Sequence, residues 1–507
     1  MRTETTEDTT EEGRARTPIT YSFARQKGVA FQPENGGAFL VRAGADKRAL
    51  LELCRVLGRE YPVSEYEAQA YDKALSDIYA FDSIDADELE DEEGDESLSR
   101  LIDEIPKTED LLDSASDAPI IRLINGMIAE AVRTNASDVH VEPFEDRVSI
   151  RYRIDGVLQE AVAVSPKLVS PLVSRIKVMA RLDIAEKRIP QDGRLTITLG
   201  GKAVDVRVST LPARYGERVV LRLLDNSQAR YGLDDLGMPA EMLADFRKSL
   251  TQPNGIILVT GPTGAGKTTT LYAGLNLLND ASRNILTVED PVEYAIDGIG
   301  QTQVNAKVGM TFAAGLRAIL RQDPDVVMVG EIRDVETAQI AVQASLTGHL
   351  VLSTVHTNSA VAAIARLKDM GVESYLLAST LTGIVAQRLV RRLCTHCREE
   401  YEPDPSELEL LGLPANTDAQ LYRPAGCHKC KQTGYDGRTG IYELVVVDDA
   451  LRRLIHDDAR EADMAGHAFD VRKTLFENGV DLVLEGATSL SEVLRVCRED
   501  GDRHAGV

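Results

Sequence analysis

The sequence predicts an α/β protein of several domains, the largest built around a mainly parallel sheet with a phosphate-binding loop. Two observations carry this. The segment Gly261 to Thr268 has the spacing Gly-x-x-x-x-Gly-Lys-Thr, after an apolar run at Ile256–Thr260 and before helical spacing over Thr269–Leu277. From there to about residue 392, short apolar runs keep alternating with helical stretches. Strand, glycine-rich loop and helix in that order are the context in which such a loop holds nucleotide phosphates.

The chain has 507 residues, enough for three or four domains at about 100–200 residues each. Its hydrophobic content of 43% is that of an ordinary globular protein. No run approaches the roughly 18 apolar residues of a membrane span. Met1–Glu12 is polar and acidic, without the basic start and apolar core of a signal peptide, so a cytosolic protein is expected. A net charge of −24 opposes binding a polyanion over a broad surface and leaves only a local basic channel open. Aromatic residues make up 5% and tryptophan is absent, which leaves little for base stacking. No nucleic-acid partner is expected.

Along the chain, residues 1–17 are polar and read as a disordered tail. Residues 18–80 carry short apolar runs and a helical stretch from Leu50 to Leu57, a small α/β module. Residues 81–117 contain the run Asp85 to Glu96, almost all acidic, and read as an extended linker rather than a recognition tail. Residues 118–230 form a mixed α+β domain. Its helix has apolar residues at 120, 121, 124, 127, 128 and 131, and strands alternate at 137–142, 148–154, 204–208 and 219–224. Asp155-Gly156 marks a turn. The phosphate-loop domain covers 231–392, a cysteine region 393–440, and a charged helical region 441–507.

In the loop itself, Gly261, Pro262, Thr263, Gly264, Ala265 and Gly266 turn backbone N–H groups inward, followed by Lys267, Thr268 and Thr269. The helix that starts there adds the positive end of its dipole. Lys267 should reach the β- and γ-phosphates of ATP, and the Thr268 hydroxyl should ligate Mg²⁺. A second acidic element should end a buried strand. Val326–Val329 supplies the strand, but Gly330 follows it and the carboxylate, Glu331, comes one place later. From there Glu331 can orient and activate the attacking water. Two polar runs also follow apolar strands: Glu289, Asp290 and Glu293 after Val288, and Ser353 to Asn358 after Leu352. In a parallel sheet both gather near the phosphates. His356 is open to two readings, a hydrogen-bonded structural residue or a sensor of the γ-phosphate.

Six cysteines are present, four of them as Cys394/Cys397 and Cys427/Cys430, two Cys-x-x-Cys pairs with 29 residues between. Four thiolates close a tetrahedral Zn²⁺ shell with no open position, a structural site. An iron–sulfur cluster or a redox pair is the alternative, and His396 and His428 are expected to face outward.

The phosphate loop, Val288–Glu293, Gly330-Glu-Ile-Arg-Asp334, Ser353–Asn358 and the four cysteines together resemble the assembly ATPases of type II secretion and their relatives, the type IV pilus extension ATPases. Tyr21 to Gly28 resembles the start of the secretion branch's N-terminal domain. The resemblance covers about residues 18–500. It implies a RecA-like ATPase domain, a PAS-like domain before it, an inserted zinc subdomain, and a homohexamer with ATP bound between domains. It places Arg207 and Arg222 of the preceding domain at the phosphates, and points to Arg317 and Arg321 as well. It implies a peripheral position on the cytoplasmic face of the inner membrane. Residues 18–80 would dock there on a bitopic platform protein, with a polytopic platform protein as second partner. The expected activity is ATP hydrolysis that drives pseudopilus assembly and protein export. The alternatives are a pilus extension motor, a nucleic-acid translocase, and a scaffold that uses ATP only as structural glue.

Overall fold

The computed structural model describes residues 118–497 except 200, 201, 225–230 and 415, together with most of 19–78. The tail 1–17 and the acidic linker 81–117 lie outside the described residues. The chain divides into two compact units at Asp225/Asn226.

The first unit holds two sheets. In the smaller, β1 (Val29–Gln32) pairs antiparallel with β2 (Ala38–Arg42), and β3 (Val63–Tyr66) pairs parallel with β2 after helix α1 (Lys47–Leu57). Phe31, Phe39 and Tyr61 meet edge to face at its centre, with ring centroids 4.7–5.8 Å apart, a favourable quadrupole arrangement. The larger sheet is six-stranded and wholly antiparallel. Its strands are β4 (Ala136–Pro143), β5 (Val148–Ile154), β6 (Val157–Val164), β7 (Gln191–Leu199), β8 (Lys202–Ala213) and β9 (Gly216–Leu224), in the order β6-β5-β4-β9-β8-β7. Asp155 and Gly156 both take positive φ, 48° and 82°, as a two-residue hairpin between β5 and β6 requires.

Helices α2 (Ala118–Arg133) and α3 (Val169–Met179) cover one face of this sheet, where Val139, Val141, Ile150, Val206, Val208 and Leu221 pack against Leu123, Met127, Leu172 and Ile176. Residues paired in register share a face. The other face therefore carries one row from β5 to β7: Arg153, Asp138, Arg222, Arg207 and Arg194.

The second unit is built on a seven-stranded sheet. Six of its strands are β10 (Gly255–Thr260), β11 (Ile285–Glu289), β12 (Gly300–Gln303), β13 (Val326–Val329), β14 (Leu350–Val355) and β15 (Leu381–Leu393). The short antiparallel pair β16 (Glu399–Tyr401) and β17 (Leu421–Arg423) lies apart from it, and β18 (Tyr435–Val446) completes it. The order is β12-β11-β13-β14-β10-β15-β18. All pairings are parallel except that of β18 with β15, the antiparallel edge. Every residue of β10 is buried. Ile256 and Leu258 join the core on one face, Ile257 and Val259 the core on the other, so apolar residues run without polar alternation.

Helices α4 (Ala240–Leu250) and α5 (Lys267–Leu278) cover one face. The other is covered by α6 (Phe312–Ile319), α7 (Val335–Leu346), α8 (Ala360–Asp369), α9 (Ser374–Thr380) and four C-terminal helices at Asp449–His456, Glu461–Ala468, Leu475–Leu484 and Leu490–Cys497. The cysteine segment is an excursion between β15 and β18, neighbours in the sheet. The expected boundary at 440/441 therefore falls inside β18, which returns the chain to the ATPase sheet. Among the described residues no helix is long and apolar enough to cross a membrane.

Candidate nucleotide site and metal centre

The loop leaves the C-terminal end of β10 and enters α5 at Lys267. Gly264 and Gly266 take φ of 79° and 84°, a conformation that a side chain disfavours. Lys267 Nζ donates to the carbonyls of Gly261 (2.8 Å) and Pro262 (3.0 Å) and lies 3.5 Å from His356 Nδ1. Burial lowers the Lys267 ammonium to about 8, against the opposing pull of the Glu331 charge.

Glu331 is 8% exposed beyond the end of β13. Its carboxylate meets Arg333 Nη2 at 2.5 Å and His356 Nε2 at 3.4 Å. His356 thus stands between Lys267 and Glu331. Burial, then the positive charge of Lys267, lowers its pKa and favours the neutral ring. The strand before it, β14, continues three residues past Leu352, so Ser353 and Thr354 are buried strand residues. Their hydroxyls donate to the carbonyls of Val329 and Gly330, both at 2.8 Å, and tie the β13 end to β14. Thr260 Oγ1 accepts from the Thr357 N–H at 2.9 Å, which ties the start of the loop to the turn after His356.

The structure brings Lys267, Glu331 and His356 together, while other sequence-selected residues have different partners. Glu289 is buried and accepts from Thr287 (2.5 Å), Gln301 (3.2 Å) and the Tyr272 hydroxyl. Burial raises its pKa despite these donors. The Glu293 N–H donates to the same tyrosine oxygen at 3.4 Å, and Asp290 lies between the two glutamates in sequence. Arg317 pairs with Glu336 of α7, and Arg321 donates to the Arg317 carbonyl at 2.7 Å. In the first unit, Arg222 Nε donates to Asp138 Oδ1 at 2.8 Å, with Arg207 opposite it on β8.

Sequence reasoning did not single out Arg333, Tyr272, Asp138 or Gln387. Arg333 was traceable, because residues two apart in an extended segment share a side and Glu331 was already a candidate. Gln387 also left a trace, a polar residue inside the apolar run Ile384–Val390.

The four cysteines converge as expected. Their sulfurs all lie within 4.8 Å of one another, with Cys394–Cys427 at 3.9 Å and Cys397–Cys430 and Cys427–Cys430 at 3.7 Å. A tetrahedron with Zn–S bonds of about 2.3 Å has S···S edges of about 3.8 Å, so the donors fit zinc. All are free thiols. The N–H groups of Cys427 (3.1 Å) and Gly434 (3.2 Å) point at Cys430 Sγ. Burial opposes the Cys430 thiolate, but these donors and the neighbouring thiols outweigh it and bring the group down to about 6. His396 lies outside the cluster, with Nε2 2.6 Å from Lys429 Nζ.

A loop of this geometry, with a carboxylate and a histidine at adjacent parallel-strand ends, on a sheet covered on both faces, defines a RecA-like P-loop ATPase. Comparison with known proteins gives the family. Residues 113–495 match the model of the type II/IV secretion system protein family, and residues 18–79 match a second model, for an N-terminal domain of GSPII protein E. The chain is 56% identical over 484 residues to type II secretion system protein E of Pseudomonas aeruginosa, covering 95% of this chain and 96% of that one. It is 57% identical over 453 residues to type II secretion system ATPase E of Vibrio cholerae, covering 89% and 90%. Among solved structures, the pilus retraction motor PilT with bound ADP is 25% identical with a TM-score of 0.51, covering 74% of this chain and 97% of that one. The ATPase DotB of Legionella pneumophila shares the fold, with a TM-score of 0.55 at 19% identity, 74% of this chain and 95% of that one being covered. The chain therefore belongs to the type II/IV secretion system protein family, and it is an ATP-hydrolysing enzyme.

Proposed function

We propose that this chain is the cytosolic, hexameric motor that hydrolyses ATP to assemble the pseudopilus and drive type II export across the outer membrane. The observation that carries the chemistry is the chain of contacts from Lys267 through His356 to Glu331. Lys267 neutralises charge on the β- and γ-phosphates. Glu331 accepts the proton of the attacking water. The neutral His356 reaches both from the side on which the γ-phosphate would lie. The Thr268 hydroxyl, at the first turn of α5, would hold Mg²⁺, which supplies charge neutralisation between phosphates. Glu289, Asp290 and Glu293 shape the same edge of the sheet around Tyr272. The four cysteines hold zinc as a structural tie.

Arg207 and Arg222, with Arg317 and Arg321, are the cations that reach the phosphates when domains close, so that turnover depends on motion. Residues 18–80 dock on the cytoplasmic domain of a bitopic inner-membrane protein, and a polytopic platform protein receives the stroke. The match of residues 18–79 to the N-terminal domain model of GSPII protein E supports the secretion branch over pilus extension. The enzyme thus works as a peripheral protein on the inner membrane's cytoplasmic face. The test is Glu331→Gln beside Lys267→Ala. Glu331→Gln should keep nucleotide binding and lose about 10²–10⁴-fold in kcat, the range for removing a general base. Lys267→Ala should lose binding. Turnover at the wild-type rate in Glu331→Gln refutes the assignment.

A further inference from the structure

Gln387 lies in β15, outside the phosphate loop in sequence, yet the loop is built around it. The parallel pairing of β10 with β15 runs from Ile256↔Leu381 to Thr260↔Ala386. The next residues on the two strands are Gly261, where the loop begins, and Gln387. The Gln387 side chain is 2% exposed. Its Nε2 donates to the Ala265 carbonyl at 2.7 Å, and its Oε1 accepts from the Thr270 hydroxyl of α5, also at 2.7 Å. Two loop glycines make room for it. A Cβ on Gly261 would strike the Gln387 carbonyl oxygen, and one on Gly266 would lie 2.8 Å from Nε2. These glycines, read from sequence as phosphate-cradle residues, are also the residues that let β15 come this close.

We propose that Gln387 is a positioning residue for nucleotide binding, acting through the Ala265–Gly266 peptide. The peptide is planar and trans, so its C=O and N–H point in opposite directions. Fixing the Ala265 carbonyl on Gln387 turns the Gly266 N–H away from β15, where it can donate to a phosphate oxygen. The bond to Thr270 holds the amide itself, so that Nε2 and not Oε1 faces the carbonyl. The proposal rests on the nucleotide reading of the loop and goes beyond it in assigning a residue that touches no phosphate.

Fluorescent-ADP titration, ATPase kinetics and thermal melting of the full chain test it, with three variants beside wild type. Gln387→Glu keeps an acceptor for Thr270 but sets a carboxylate oxygen against the Ala265 carbonyl. Gln387→Met removes both bonds at similar volume. Thr270→Val removes only the arm that holds the amide. Losing one buried hydrogen bond and leaving its acceptor unpaired corresponds to about tenfold, so both Gln387 variants should raise the ADP Kd and the ATP KM by about that factor, with kcat at saturation nearly unchanged. Thr270→Val should move KM less than either, even where its melting temperature falls as far. KM at the wild-type value in both Gln387 variants overturns the proposal, as does an equal KM rise in Thr270→Val. Wild-type titration reads the nucleotide assignment, and the variant-to-wild-type ratio reads the role of Gln387.

Discussion

At the scale of the residue, Lys267 gives the sharpest handle. Its ammonium sits near 8 because burial disfavours the charge. Phosphate binding needs that charge, so the proton must be present or taken up on binding. ADP affinity should therefore be flat below about pH 7.5 and fall about tenfold per unit above pH 8. Titration calorimetry at stepped pH checks this, and affinity unchanged at pH 9.5 counts against Lys267 as the phosphate cation. Glu331 was legible in sequence because a carboxylate at the end of a buried parallel strand has few other uses. The ambiguity over His356 was physical, since spacing does not say what lies across a strand end, and folding puts Lys267 and Glu331 there. Gln387 was the least legible. Its partners are 117 and 122 residues away, and only the pairing of β10 with β15 brings them together.

At the scale of the element, β15 is the most connected piece. It passes the phosphate loop at Gln387, ends at Leu393, and delivers Cys394 to the metal centre. Glu492 of the last helix braces this end. It is 1% exposed and accepts from Arg391 Nη2 (2.8 Å) and from Arg495 (2.6 Å). Burial works against its charge, but the two arginines prevail and hold it at about 2. A depressed carboxyl contributes stability above its unfolded value near 4.5, and that stability is lost as pH falls toward 2. Glu492→Gln should cost about 3 kcal/mol at neutral pH, the lower range for breaking a buried pair, and should flatten the acid limb of the stability curve. Urea melts at pH 7 and pH 3 check this, and equal losses at both would contradict it. At the cysteines, zinc removal should open the excursion between β15 and β18 to protease between 394 and 434 while the ATPase sheet survives. An unchanged digest after complete chelation would count against a structural metal. The excursion was visible in the Cys-x-x-Cys pairs, but its far edge was not. Tyr435–Val446 resembles any apolar run until β15 provides its partner.

At the scale of the whole molecule, the arginine row on the six-stranded sheet and the phosphate loop belong to different compact units. Four arginines in one register row with a single Asp138 leave excess positive charge on a chain of net charge −24. Concentrating cations on one face suits an anionic ligand presented from elsewhere. If Arg222 completes the site on closure, Arg222→Ala should lower kcat by about 10²-fold or more and leave ADP binding nearly intact, as expected of a cation acting on transition-state charge. A matching loss in Kd would make it an ordinary binding residue. The sequence showed each strand of that sheet by its alternation. It did not show the row, because register between strands is set by bulges and turns that alternation does not encode.

The central claim is that hydrolysis at Glu331 drives export. Its most direct measurement is the distribution of a type II cargo between periplasm and medium in a strain whose only copy of this chain carries Glu331→Gln. The claim predicts cargo held in the periplasm, no pseudopilus, and a full-length variant that still binds ADP. Cargo in the medium at the wild-type level, from a variant with no measurable phosphate release, would contradict it.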